Sequence, residues 1–87
     1  MSKYHLQIAP RVAKDLAILP KVDRLRVQAA IDTLAVDPRP SGFKKLVGEA
    51  AYRVRVGDYR IIYEIADAEL IVVVIRVRHR KEVYRGR

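Results

Sequence analysis

The sequence predicts one α+β domain spanning residues 1–87, ordered β-α-α-β-β-β: an antiparallel meander sheet with two N-terminal helices packed on one face. Three observations predict it. Prolines bracket two glycine-free segments of helical apolar period in the first half. The period then switches to strict alternation beyond Gly42, and a Gly-Asp pair separates two of the alternating runs. A chain of 87 residues has room for one such core and not for two.

Tyr4-His5-Leu6-Gln7-Ile8 alternates apolar and polar, the pattern of a strand that turns Tyr4, Leu6 and Ile8 to a core. Pro10 ends that strand and suits the first turn of a helix, where its missing N–H would have no intrahelical partner. The first helix runs from Pro10 to Leu19, with Val12, Leu16 and Leu19 on one stripe. Pro20 interrupts the chain. Lys21 to Val36 then continues without Gly or Pro, and its apolar residues fall on two arcs, Val22, Leu25, Ala29 and Val36 on one and Val27, Ala30, Ile31 and Leu34 on the other. One arc packs on the sheet, and the other covers the first helix or stays open to a partner. Periodicity does not choose between them.

Asp37-Pro38-Arg39-Pro40-Ser41-Gly42 forbids further helix and reads as a loop. Tyr52 to Val56 and Tyr59 to Ile65 alternate on either side of Gly57-Asp58, the signature of a hairpin closed by a type II′ turn. Asp67-Ala68-Glu69 supplies a second turn before Leu70 to Val77, whose β-branched density suits a central strand. The two-residue loop sets the register: Val56 opposite Tyr59, Arg55 opposite Arg60, Val54 opposite Ile61 and Arg53 opposite Ile62. Arg53, Arg55 and Arg60 therefore share one sheet face, and Val54, Val56, Tyr59, Ile61 and Tyr63 the other. Arg76, Arg78 and Arg80 repeat the same period nearby.

Charge and composition narrow the function. Eighteen Lys and Arg against ten Asp and Glu give a formal +8, which favours a polyanionic partner. A hydrophobic content of 51% puts that charge on a folded body rather than on a disordered basic tail. With no cysteine and two histidines, neither a disulfide framework nor a metal or other cofactor is expected. The opening residues carry no apolar signal region, and the longest apolar run, Leu70 to Ile75, is far short of the roughly 20 residues of a membrane helix. A cytoplasmic protein with no membrane partner is expected. Basic residues on an exposed strand ordinarily serve solubility and discourage edge pairing. Directly opposed arginines cost up to about 1 kcal/mol per pair, however, and folding does not require them; only Glu64 stands by to neutralise the group. A planar guanidinium fork grips phosphate through two hydrogen bonds, so the arginines read as a phosphate-binding face. In the tail, Tyr84 is suited to stacking on a base, His79 brings the side-chain type most used for proton transfer, and Arg80 and Lys81 are suited to stabilising a charged phosphorane.

The run from Leu46-Val47-Gly48 through Tyr52-Arg53-Val54-Arg55-Val56-Gly57-Asp58-Tyr59-Arg60-Ile61-Ile62-Tyr63, with the ending His79-Arg80-Lys81-Glu82-Val83-Tyr84, resembles the RelE/ParE superfamily of toxins from toxin–antitoxin systems, and its RelE branch more closely. The resemblance implies a compact α+β fold and a toxin that cleaves messenger RNA in the ribosomal decoding site. It places Arg60 and Arg80 on the family's phosphate-contacting arginines and Tyr84 on its C-terminal tyrosine. Arg53 and Arg55 fall where the best-known RelE toxin has two lysines, one of them proposed as general base. Arginine does not give up its proton in proteins, so that role passes to His79, Lys81, Lys45 or Tyr84, or to the ribosome.

The expected site is thus a catalytic set of Arg55, Arg60, Arg80 and Tyr84, flanked by RNA-binding Lys45, Arg53, Arg78, His79 and Lys81. The expected partners are ribosome, mRNA and an acidic, RelB-like antitoxin in a toxin–antitoxin hetero-oligomer. A ParE-like inhibitor of DNA gyrase and a non-catalytic basic module for ribosomal RNA or DNA are the alternatives.

Overall fold

The computed structural model describes residues 3–80. In chain order the elements are β1 (His5–Ile8), α1 (Pro10–Ala17), α2 (Lys21–Leu34), β2 (Lys44–Lys45), β3 (Tyr52–Val56), β4 (Tyr59–Ala66) and β5 (Ile71–His79). They form one five-stranded sheet in the order β1-β5-β4-β3-β2, carrying the two helices. The α+β class, the two helices and the β3-β4-β5 meander follow the expected order. The sheet as a whole is mixed, not antiparallel, because β1 lies parallel to β5 with His5 opposite Ile71 and Ile8 opposite Val74. Apolar alternation specifies which side of a strand faces the core but carries no direction, so the sequence pattern of β1 did not encode this pairing. The short edge strand β2 was not anticipated either, since its two lysines show no β pattern.

The buried core comes from both layers. Val12 of α1 and Val27, Ile31 and Leu34 of α2 meet Val54, Ile61, Tyr63, Val72 and Val74 of the sheet. This settles which arc of α2 is covered: Val27, Ile31 and Leu34 are buried, whereas Val22 and Leu25 stand 67% and 58% exposed. On β1, Tyr4 and Leu6 pack against the core as expected, but Ile8 is 44% exposed at the sheet's outer strand.

The hairpin has the expected register at every position from Val56–Tyr59 to Tyr52–Tyr63. Gly57 sits at φ +59°, and Leu70 alone among the described non-glycine residues has positive φ, so the positive angle falls on the first loop position only, as a II′ turn demands. A glycine is needed there because an L side chain in that region costs about 1–2 kcal/mol.

One irregularity controls where the charges go. Between Ile62 and Tyr63 the β4–β5 ladder shifts: Tyr63 faces Val74, yet Ile62 faces Arg76, leaving Ile75 as an extra residue. Without this bulge Arg76 would lie opposite Ile61, on the core side. With it, the buried positions of β5 change parity from Val72 and Val74 to Val77, and Arg76 and Arg78 move to the face that carries Arg60.

A polar clip ties the ends of the sheet to the loop after α2. Arg39 binds both carboxylate oxygens of Asp67 at 3.2 and 2.8 Å, and the Tyr4 hydroxyl donates to the same carboxylate at 2.8 Å. The Arg39 hydrogen bonds, followed by that of Tyr4, hold the Asp67 carboxyl down to about 2. Because this value is depressed, the clip's contribution is complete above the ordinary carboxylate range and fades as the pH falls towards 2. Acid titration of stability should therefore lose part of its slope below about pH 4 in Asp67→Asn, read as the urea midpoint against pH.

Candidate nucleic-acid interface

Cross-strand pairing lays the basic residues in two rows across the face opposite the helices. The first row is Arg55, Arg60 and Arg78 on β3, β4 and β5, and the second is Lys44, Arg53, Ile62 and Arg76 on β2 to β5. Arg80 follows just beyond β5, where its N–H donates to the Asp58 carbonyl at 2.7 Å and pins the strand end to the hairpin turn. Two concavities open on this face. A cleft of about 110 Å³ is lined by Arg55, Gly57, Asp58, Tyr59, Arg60 and Arg80. A neighbouring one of about 260 Å³ is lined by Leu46, Glu49, Arg53, Arg60, Ile62 and Arg78. Arg60 is common to both.

The positive charge of this face is only partly answered within the fold. Arg76 is engaged by Asp15 of α1 at 4.0 Å and Arg80 by Asp58 at 3.7 Å. Among the described residues no carboxylate pairs with Arg53, Arg55 or Arg60, and the Arg60 Nε is buried without a hydrogen-bond partner. Burial, and then repulsion from Arg55 and Arg60, lower the Arg53 guanidinium from its ordinary value. A phosphate answers the repulsion by supplying negative charge to the cluster.

Of the residues expected at the site, Arg55, Arg60 and Arg80 converge on the first cleft, and Arg53 and Arg78 join Arg60 in the second. Two expectations are corrected. Lys45 pairs with Tyr52 and so lies on the opposite face; its neighbour Lys44 takes the place beside Arg53. His79 likewise belongs to the other face, opposite Tyr59, whose ring it meets edge-on at 5.1 Å, in a hollow shared with Asp15, Ile18 and Leu19. Strand alternation is the reason in both cases, since Lys45 follows Lys44 and His79 follows Arg78, and successive side chains on a strand take opposite faces. Lys81 and Tyr84 lie outside the described residues. Sequence reasoning overlooked Lys44, Asp58 and Glu49. Asp58 was visible as the turn residue between the opposed arginines, whereas Lys44 and Glu49 needed the position of β2. No three His, Asp or Glu among the described residues are grouped to hold a metal ion.

Comparison with known proteins agrees with this architecture. A family model for the ParE toxin of the type II toxin–antitoxin system parDE matches residues 6–84. RelE1 of Methanocaldococcus jannaschii, named there as a toxin candidate, is 31% identical over 88 residues, covering 97% of this chain and 98% of its own. Toxin RelG of Mycobacterium tuberculosis is 34% identical over 85 residues, covering 94% and 97%. The archaeal RelE–RelB complex of Pyrococcus horikoshii contains a chain that superposes with a TM-score of 0.80 at 31% identity, over 90% of this chain and 96% of that one. The hairpin, the mixed sheet and the two helices are thus those of a known toxin fold, and this chain belongs to the RelE/ParE superfamily of type II toxin–antitoxin toxins, on its RelE-like branch.

Proposed function

We propose that this toxin is a ribosome-dependent endoribonuclease that cuts messenger RNA without a metal, by attack of a ribose 2′-hydroxyl on the adjacent phosphate. The observation that carries this reading is the convergence of Arg55, Arg60 and Arg80 on one cleft, where no carboxylate among the described residues pairs with Arg55 or Arg60. Arg60 and Arg55 hold the scissile phosphate and the charge that develops on it, and Arg80 stands at the leaving oxygen. Arg53, Arg78 and Lys44 extend the cationic track for flanking phosphates. Tyr84, carried over from the family resemblance, stacks on or orients the base.

A domain this small offers a charged face but little to position a flexible message, and the ribosome supplies that positioning. The P. horikoshii relative is a complex with RelB; here an acidic amphipathic antitoxin fits the same chemistry, its charge answering the arginines and its apolar side the exposed Val22 and Leu25. Primer extension on a message after induction of the toxin, with and without ribosomes, tests the reading. Discrete stops are expected with ribosomes and none without. Inhibited supercoiling with intact message would select a gyrase inhibitor instead, and salt-dependent RNA binding without cleavage would select a binding module.

A further inference from the structure

The arginine cluster leaves the reaction without a proton acceptor. Arginine does not serve as a proton acceptor in proteins, which leaves Arg55, Arg60 and Arg80 out of that role. Lys45 and His79 are on the far face of the sheet. Tyr59 lines the cleft, but its hydroxyl donates to Asp23 Oδ2 at 3.2 Å on the helix side, and burial together with that bond raises it above its ordinary value of 10. Among the described residues that line the cleft, one side chain is left that is neither a guanidinium nor a phenol and carries a carboxyl: Asp58.

We propose that Asp58 is the general base of this toxin. The assignment rests on the endoribonuclease reading above. The II′ turn, set by Gly57 at φ +59°, puts Asp58 between the ends of β3 and β4, and the Arg80 N–H holds its carbonyl at 2.7 Å. The carboxylate approaches Arg80 Nε at 3.7 Å, an ion-pair distance too long for a hydrogen bond, and accepts no side-chain hydrogen bond among the described residues. Its side chain is 61% exposed, at the rim of the cleft that Asp58 helps to line. Around it stand Arg55 from β3, Tyr59 and Arg60 from β4, Arg80 beyond β5, and Asp23 and Arg26 from α2 in the adjoining hollow. The three arginines offset the repulsion that a lone carboxylate would exert on a phosphate.

In the reaction, Asp58 takes the proton of the 2′-hydroxyl as that oxygen bonds to phosphorus. The P–O5′ bond breaks, and the 5′ oxygen leaves and is protonated by water. The products are a 2′,3′-cyclic phosphate and a 5′-hydroxyl, and Asp58 returns its proton to solvent.

The test is single-turnover cleavage of ribosome-bound message across about pH 6 to 9, with wild type, Asp58→Asn and Asp58→Glu. Asn is at home in turns, so Asp58→Asn should keep the fold, checked by its thermal midpoint. We expect a wild-type rate nearly independent of pH over this range, a loss of about 10²–10⁴-fold in Asp58→Asn, and partial recovery in Asp58→Glu. A lysine or tyrosine base would instead give a wild-type rate that climbs about tenfold per pH unit. That slope, or an unchanged rate in a folded Asp58→Asn, overturns the role of Asp58 while leaving the nuclease intact. A wild-type protein that cuts nothing overturns the nuclease reading itself, and the assignment of Asp58 with it.

Discussion

Arg60→Ala is expected to slow cleavage of ribosome-bound message by about 10²–10³-fold, the usual loss when one preorganised contact to developing charge is removed. Arg60 is the residue shared by both concavities, flanked by Arg55 on β3 and Arg78 on β5 in one row. Its guanidinium pairs with no carboxylate among the described residues, so an ion pair with a phosphate is gained on binding and is not traded against an internal one. The same fact predicts that the fold will not suffer. Removing a cation that faces like charge on a neighbouring strand relieves up to about 1 kcal/mol, which offsets the packing lost with its aliphatic stem. Urea denaturation should therefore show Arg60→Ala within about 1 kcal/mol of wild type. Arg60→Lys keeps the charge but loses the fork, and an intermediate rate is expected. Wild-type cleavage in Arg60→Ala would sink the role given to this residue.

The largest effect on stability is expected from Tyr63→Ala. Tyr63 is fully buried at the centre of the sheet, its ring 6.0 Å from that of Tyr52, and its hydroxyl donates to the Pro38 carbonyl at 2.6 Å. Burial pushes that hydroxyl up to about 12, so it stays a donor at any physiological pH. Truncation to Ala leaves a cavity between α2 and the sheet and costs about 3–5 kcal/mol. That is a large share of the roughly 5–15 kcal/mol that stabilises a domain. Tyr63→Phe separates the two contributions. It keeps the packing but strands the Pro38 carbonyl, at a cost of about 1–3 kcal/mol. Equal midpoints for Tyr63→Phe and wild type in urea would show that the hydrogen bond contributes nothing. A Tyr63→Ala protein as stable as wild type would refute the central position of this ring.

Much of the fold was legible because local rules decide it. The Gly57-Asp58 pair specifies a two-residue turn, and once the turn is specified every cross-strand neighbour of the hairpin follows; the observed register from Val56–Tyr59 to Tyr52–Tyr63 is the result. Prolines 10 and 20 likewise bound the helices where the structure begins them. Arg53, Arg55 and Arg60 could be assigned to one face for the same reason. The choice between the two apolar arcs of α2 was not legible, because periodicity gives a helix its stripes without saying which one finds a partner. Lys45 and His79 were misplaced where the sequence was read as a cluster of suitable residue types and not strand by strand.

The sequence by itself determined the hairpin, its register, the positive charge and the pairing of opposed arginines, since each depends on residues a few positions apart. Only the tertiary structure decided the parallel seat of β1 beside β5, the edge strand that brings Lys44 to Arg53, and the bulge at Ile62/Tyr63. All three depend on contacts between segments distant in the chain, where many pairings satisfy the same alternation and packing selects among them. The bulge matters most for function. One unpaired residue, Ile75, turns Val77 into the core and brings Arg78 into line with Arg55 and Arg60, completing the row of arginines across three strands.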